Sequence, residues 1–200
     1  MVGLVLAGGF SRRFGSDKSL AVLPGSRDPL VKRAALLLSA AGMDDVRISC
    51  RAEQAPRIME AAPGYALIRD MPHAGASSPI FGLISALREL RHAPLLTLPC
   101  DMPSLTPAML RMLIDERRRI LRQSFARSLP LRYAFVHPDG RVETLVAIYE
   151  PTSLPLLSAA AAAGRLSAYS AIPSPLQWLV PCPDSWDCIN MNAMPASSSA

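Results

Sequence analysis

Short apolar runs alternate with longer amphipathic segments through the first 120 residues. The short runs have the length of buried strands, and the longer segments repeat their apolar positions at the spacing of a helix face. This pattern predicts strands at 2–6, 46–50, 66–68 and 95–98, and helices at 29–41, 52–61, 80–90 and 107–122. Strands that alternate with helices form parallel βαβ units, so we predict an α/β sandwich.

The pattern changes after residue 131. Residues 132–137 and 143–149 predict a β-hairpin around Pro138-Asp139-Gly140, a sequence that favours a tight turn. A helix is predicted at 154–163 and a short strand at 177–180. Residues 193–200 carry a serine run and are expected to be a disordered tail, which leaves 1–192 as a single domain.

Composition narrows the class of protein. Of 200 residues, 50% are hydrophobic and 18% are charged, and no apolar run approaches the roughly 20 residues that cross a bilayer. No basic and apolar leader is visible, so we expect a cytoplasmic protein without a membrane partner. The four cysteines form no CxxC pair and lack histidines at ligand spacing, which favours reduced thiols over zinc or disulfides.

The net charge of +5 comes partly from an arginine-rich segment at 116–122. Basic proteins bind nucleic acids or small polyanions. Because this segment lies in a helical pattern without interleaved aromatic residues, a solvated helix face is favoured over a nucleic-acid surface.

The first predicted strand runs into a glycine-rich segment that ends in basic residues. Residues 7–18 read AGGFSRRFGSDK. Glycines let backbone amides approach a phosphate, but the spacing matches neither a Walker A loop nor a GxGxxG fingerprint. Arg12, Arg13 and Lys18 suit a triphosphate, and a glycine turn with solvated arginines is the alternative.

Two acids follow other strand ends, where ligands of doubly wound sheets bind. Asp101 follows the strand at 95–98 and is a candidate Mg²⁺ ligand, because Thr106 is better placed to cap the next helix. Asp70 follows the strand at 66–68 and could serve either the site or the structure. The small-residue loop at 77–82 leads into a helix N-terminus, which favours anions.

Together these motifs resemble the molybdenum cofactor guanylyltransferase family. The matching segments are LAGGxSxRFGxDK at 6–18, Asp70, SPIFG at 78–82 and PCDMP at 99–103. Weaker matches are VETLVA at 142–147, GRLS at 164–167 and NMN at 190–192. The chain departs from the family at Phe81, where alanine is usual, at Ser49, where asparagine is frequent, and after Asn192.

The resemblance implies a three-layer α/β/α Rossmann-like nucleotidyltransferase fold with a mostly parallel central sheet. It implies transfer of GMP from GTP to molybdopterin, with Mg²⁺ as cofactor and pyrophosphate as product. Other proteins of molybdenum cofactor biosynthesis and acceptor molybdoenzymes are the implied protein partners.

The resemblance also assigns roles to individual residues. The implied catalytic residues are Arg13, Lys18 and Asp101, with Asp101 on the metal. The nucleotide is expected to contact Leu6, Ala7, Gly8, Gly9, Lys18, Asp70, Pro79, Gly82 and Asp101. The pterin substrate is expected to contact Arg165, Asn190 and Asn192.

Three alternatives remain open at this point. Relatives that use CTP on molybdopterin usually carry LAAG where this chain has LAGG at 6–9, which favours guanine. A transferase acting on a sugar phosphate shares a similar loop, and a non-catalytic cofactor carrier would explain the unusual C-terminal sequence.

The attacking phosphate is already ionised at neutral pH, so the reaction requires no general base. None of the three histidines is therefore proposed as a catalytic residue.

Overall fold

The computed structural model describes residues 1–9, 17–72, 78–123, 129–183 and 186. Within these ranges the chain forms a seven-stranded sheet. The strands are β1 (Val2–Leu6), β2 (Val46–Cys50), β3 (Ala66–Arg69), β4 (Leu95–Pro99), β5 (Arg132–Val136), β6 (Val142–Tyr149) and β7 (Gln177–Pro181). The α-helices are α1 (Leu30–Ala40), α2 (Ala55–Ala61), α3 (Pro79–Glu89), α4 (Pro107–Gln123), α5 (Leu154–Ala162) and α6 (Ala168–Ala171).

The strand order is β3-β2-β1-β4-β6-β5-β7. β1 pairs in parallel with both β2 and β4, while β6 is antiparallel to its neighbours β4 and β5. β7 extends the sheet in parallel with β5. The mostly parallel sheet confirms the predicted fold class and places the ends of β1 to β4 at one edge.

Side chains of the strands alternate between two cores, one on each face of the sheet. On β1, Val5 packs with α1, α2 and α4, whereas Leu4 and Leu6 pack with α3, α5 and α6. Apolar strands covered on both faces are typical of parallel sheets. The two helical layers complete the expected three-layer sandwich.

The bounds of most predicted elements agree with the structure to within a residue or two. One predicted helix is divided into two elements in the structure. Residues 52–61 are not a single helix but a 3₁₀ turn, Ala52–Gln54, followed by α2. Pro56 lies in the first turn of α2, where its missing N–H costs no helical hydrogen bond. Among the described residues, no helix is long and apolar enough to cross a membrane.

Candidate active site

A cleft of about 240 Å³ lies at the carboxyl edge of the parallel strands. The nine residues that the resemblance places against the nucleotide all line it: Leu6, Ala7, Gly8, Gly9, Lys18, Asp70, Pro79, Gly82 and Asp101. Ser19, Ser49, Pro99, Cys100 and Leu145 complete its lining. Segments far apart in the sequence therefore converge where ligands of doubly wound sheets bind.

Lys18 and Asp101 form an ion pair within the cleft. Lys18 Nζ lies 3.0 Å from Asp101 Oδ2, and the two side chains are 9% and 21% exposed. Lys18 begins a 3₁₀ turn that Asp17 caps by accepting from the Ser19 amide. Thr106 caps α4 by accepting from the Met109 amide, so Asp101 is not used as the helix cap, as predicted.

Asp70 and Ser49 form a second polar pair in the cleft wall. Ser49 lies on β2, and its hydroxyl donates to Asp70 Oδ1 just beyond β3. Burial raises the pKa of the Asp70 carboxyl, and the Ser49 hydrogen bond and the Arg51 charge act in the opposite direction. Asp70 therefore accepts a hydrogen bond that joins β2 to the end of β3, and it also lines the cleft.

Two glycines leave room for this pair. A Cβ on Gly8 would overlap Asp70 Oδ2, and a Cβ on Gly82 would overlap Ser49 Oγ. A Cβ on Gly9 would meet no described atom within 4 Å. Gly8 and Gly82 are therefore required for close packing rather than for an unusual backbone conformation.

Arg51 and Gln54 hold the glycine turn from outside the cleft, and the sequence analysis missed both. Arg51 Nη1 donates to the Gly8 carbonyl at 2.6 Å, and Gln54 Nε2 donates to the Ala7 carbonyl at 3.2 Å. Because C=O and N–H point in opposite directions across a trans peptide, these bonds aim the Gly8 and Gly9 amides away from Arg51 and Gln54. Arg51 follows β2 directly, so inspection of every strand end would have found it.

The N-terminus of α3 meets the turn that carries Arg165. Ser78 accepts from the Ile80 amide at 3.3 Å as helix cap and donates to the Leu166 carbonyl at 2.6 Å. Arg165 is exposed and is not part of the cleft lining, although its neighbour Leu166 is bound to Ser78, which directly precedes the cleft residue Pro79. Arg13, Asn190 and Asn192 lie outside the described residues.

The unusual Phe81 does not obstruct the cleft. Its side chain is 4% exposed and packs in the core between the sheet and α3. Pro79 and Gly82 of the same helix line the cleft instead. The departure from the family pattern is therefore accommodated by the core.

The donor set suits Mg²⁺ bound together with phosphates. Mg²⁺ is usually held by one or two carboxylates plus substrate oxygens, and Asp101 supplies one carboxylate beside a basic side chain. The described ranges contain no cluster of three or more His, Cys, Asp or Glu side chains that could hold a metal ion. Asp101 therefore fits as a ligand of a Mg²⁺ ion that phosphate oxygens also coordinate.

Known proteins resemble this chain in sequence over most of its length. A probable molybdenum cofactor guanylyltransferase from Chloroflexus aggregans is 29% identical over 194 residues, covering 96% of this chain and 86% of the relative. One from Synechococcus elongatus is 28% identical over 200 residues, covering 94% and 97%.

Solved structures share the fold. The crystal structure of molybdopterin-guanine dinucleotide biosynthesis protein A from Archaeoglobus fulgidus is 23% identical, with a TM-score of 0.68 over 90% of this chain and 83% of that one. The family model of the MobA-like NTP transferase domain matches residues 3–174. The chain therefore belongs to the MobA-like NTP transferase domain family.

Proposed function

We propose that this protein transfers GMP from GTP to molybdopterin and releases pyrophosphate. A terminal phosphate oxygen of molybdopterin attacks the α-phosphorus of GTP, and the bond from the α-phosphorus to the bridging oxygen of the β-phosphate breaks. The names of the relatives from Chloroflexus aggregans and Synechococcus elongatus support this choice of reaction.

The pairing of Lys18 with Asp101 beside a glycine turn carries the proposal. Phosphoryl-type transfer depends on positioning and charge neutralisation more than on covalent help from the protein. A buried ammonium group and a carboxylate 3.0 Å apart would supply a cation for phosphates and a ligand for their metal. The glycine turn at 7–9 adds backbone amides at the end of β1.

Each residue expected at the site then takes one role. Leu6, Ala7, Gly8 and Gly9 receive the guanine and phosphates, and Lys18 and Arg13 neutralise the triphosphate and the departing pyrophosphate. Asp70, Pro79 and Gly82 shape the nucleotide side of the cleft. Arg165, Asn190 and Asn192 are expected to bind the phosphate of the pterin.

Asp101 would hold Mg²⁺, which supplies neutralisation of phosphate charge when it is bound. In the structure the Lys18 ammonium group donates a hydrogen bond to Asp101 Oδ2. Binding of the nucleotide would exchange this ion pair for contacts of Lys18 with phosphate.

The reaction requires no protein base to activate the nucleophile. A phosphate monoester is already ionised at neutral pH. The described histidines, His92 and His137, do not line the cleft.

Calorimetric titration with GTP, CTP and ATP in the presence of Mg²⁺ tests the proposal. We expect binding of GTP that is selective over the other two nucleotides and is lost when Mg²⁺ is omitted. Molybdopterin is then added with GTP, and pyrophosphate is measured. Selective binding of CTP, or absence of nucleotide binding, would overturn the assignment.

A further inference from the structure

We infer that Gln54 is a positioning residue that holds Lys18 at the phosphates, an inference that rests on the proposed function. Gln54 is 4% exposed and does not line the cleft, so it acts through the residues that it binds. It lies in the 3₁₀ turn just after β2, behind the glycine turn.

The side-chain amide of Gln54 uses both its donor and its acceptor groups. Nε2 donates to Ala7 O at 3.2 Å and to Asp17 Oδ2 at 2.6 Å. Oε1 accepts from the Arg51 amide at 3.1 Å. A flipped amide would set its oxygen against two acceptors, so this orientation is the one that satisfies the group.

The two donor bonds join residues that flank the glycine- and arginine-rich segment. Ala7 ends β1, and Asp17 caps the turn from which Lys18 projects. Asp17 divides its carboxylate, since Oδ2 accepts from Gln54 while Oδ1 accepts from the Ser19 hydroxyl at 2.7 Å and the Ser19 amide at 3.2 Å. Gln54 therefore orients the Asp17 carboxylate, and that carboxylate caps the 3₁₀ turn that begins at Lys18.

Lys18 depends on this turn for its position. Its side chain is buried between the turn and Asp101, 83 residues further along the chain. A shift of the turn by about 1 Å would misplace the ammonium group, and displacements of that size cost on the order of 10²-fold in rate. The consequence is a loss in kcat that exceeds any change in KM for GTP.

Two substitutions test the bonds without removing bulk. Gln54→Met keeps the length of the side chain but cannot donate, and Gln54→Glu is nearly isosteric but places a carboxylate against Asp17. We expect kcat to fall on the order of 10-fold to 10²-fold in both variants, with a smaller change in KM.

The pH profile separates positioning from a general loss of stability. In Gln54→Glu the introduced carboxyl has a raised pKa, because it is buried and faces the Asp17 carboxylate. Its protonated form can donate one hydrogen bond, so kcat relative to the parent protein should recover as the pH falls from about 8 to about 6. Gln54→Met should show no such recovery.

Gln177→Met is the matched control. Gln177 also bridges two partners, donating to the Ile172 carbonyl and accepting from Arg132, but it lies on β7 at the far edge of the sheet. We expect this variant to lower the unfolding midpoint while its kcat stays parental.

Hydrogen exchange of the Ser19 amide gives a readout that does not depend on activity. Measured by NMR without ligand, exchange should accelerate in Gln54→Met and stay unchanged in Gln177→Met. Parental kcat in both Gln54 variants, or unchanged Ser19 exchange, would overturn the inference. A parent protein without GTP turnover would instead overturn the proposed function, and the exchange result would still test Gln54.

Discussion

Gly82→Ala sets two physical effects against each other. Gly82 lies inside α3, where alanine is favoured over glycine by about 1 kcal/mol of helix propensity. A Cβ at this position would overlap Ser49 Oγ and lie 3.2 Å from Asp70 Oδ1. Propensity therefore predicts a more stable protein and packing predicts a less stable one.

The packing cost is expected to be the larger effect. Ser49 Oγ must rotate away, which breaks the hydrogen bond that it donates to the Asp70 carboxylate. A hydrogen bond to a charged group contributes about 1.5–3 kcal/mol. After the propensity gain of about 1 kcal/mol is subtracted, the free energy of unfolding should fall by about 0.5–2 kcal/mol.

A Ser49→Ala background isolates the two effects. There the overlapping oxygen and its hydrogen bond are absent, so Gly82→Ala should raise the free energy of unfolding by up to about 1 kcal/mol. Urea unfolding of the parent, both single variants and the double variant measures the change of sign. Equal stabilisation by Gly82→Ala in both backgrounds would refute the packing argument.

Asp101→Ala should lower Mg²⁺-dependent pyrophosphate release on the order of 10²-fold or more with the fold retained, and full turnover would remove Asp101 from the metal. Burial raises the pKa of Asp70 in the folded protein, so its contribution to stability is fully present below the unfolded pKa and is lost as the pH rises through the folded pKa. Asp70→Asn should therefore gain stability relative to the parent between acid and neutral pH in urea unfolding, and a difference independent of pH would contradict this. Burial raises the pKa of the Cys100 thiol to about 12, so iodoacetamide should label it slowly at neutral pH, and rapid labelling found by mass spectrometry would show a different environment.

The sequence predicts most strands and helices because their apolar spacing is regular. It also finds Asp70 and Asp101, since parallel strands bring their carboxyl ends to one edge. The four-residue helix Ala168–Ala171 is missed, because it is too short to repeat an apolar pattern.

Other features depend on contacts that no local pattern records. The position of β6 between β4 and β5, and of β7 beyond β5, follows from pairing choices among strand edges. Gln54 has no distinctive spacing, and its importance is visible only from the atoms that its amide reaches. The packing need at Gly82 arises from Ser49 and Asp70, which lie on other elements.

The Lys18–Asp101 ion pair links the cleft to the order of folding. The pair closes a loop across 83 residues, and β2 and β3 lie inside that loop. Contacts between residues so distant in the chain form after local helices, because loop closure carries an entropic cost. We therefore expect triphosphate affinity to arise only once β4 has joined the sheet, so that a nascent chain lacks it until Asp101 has been synthesised.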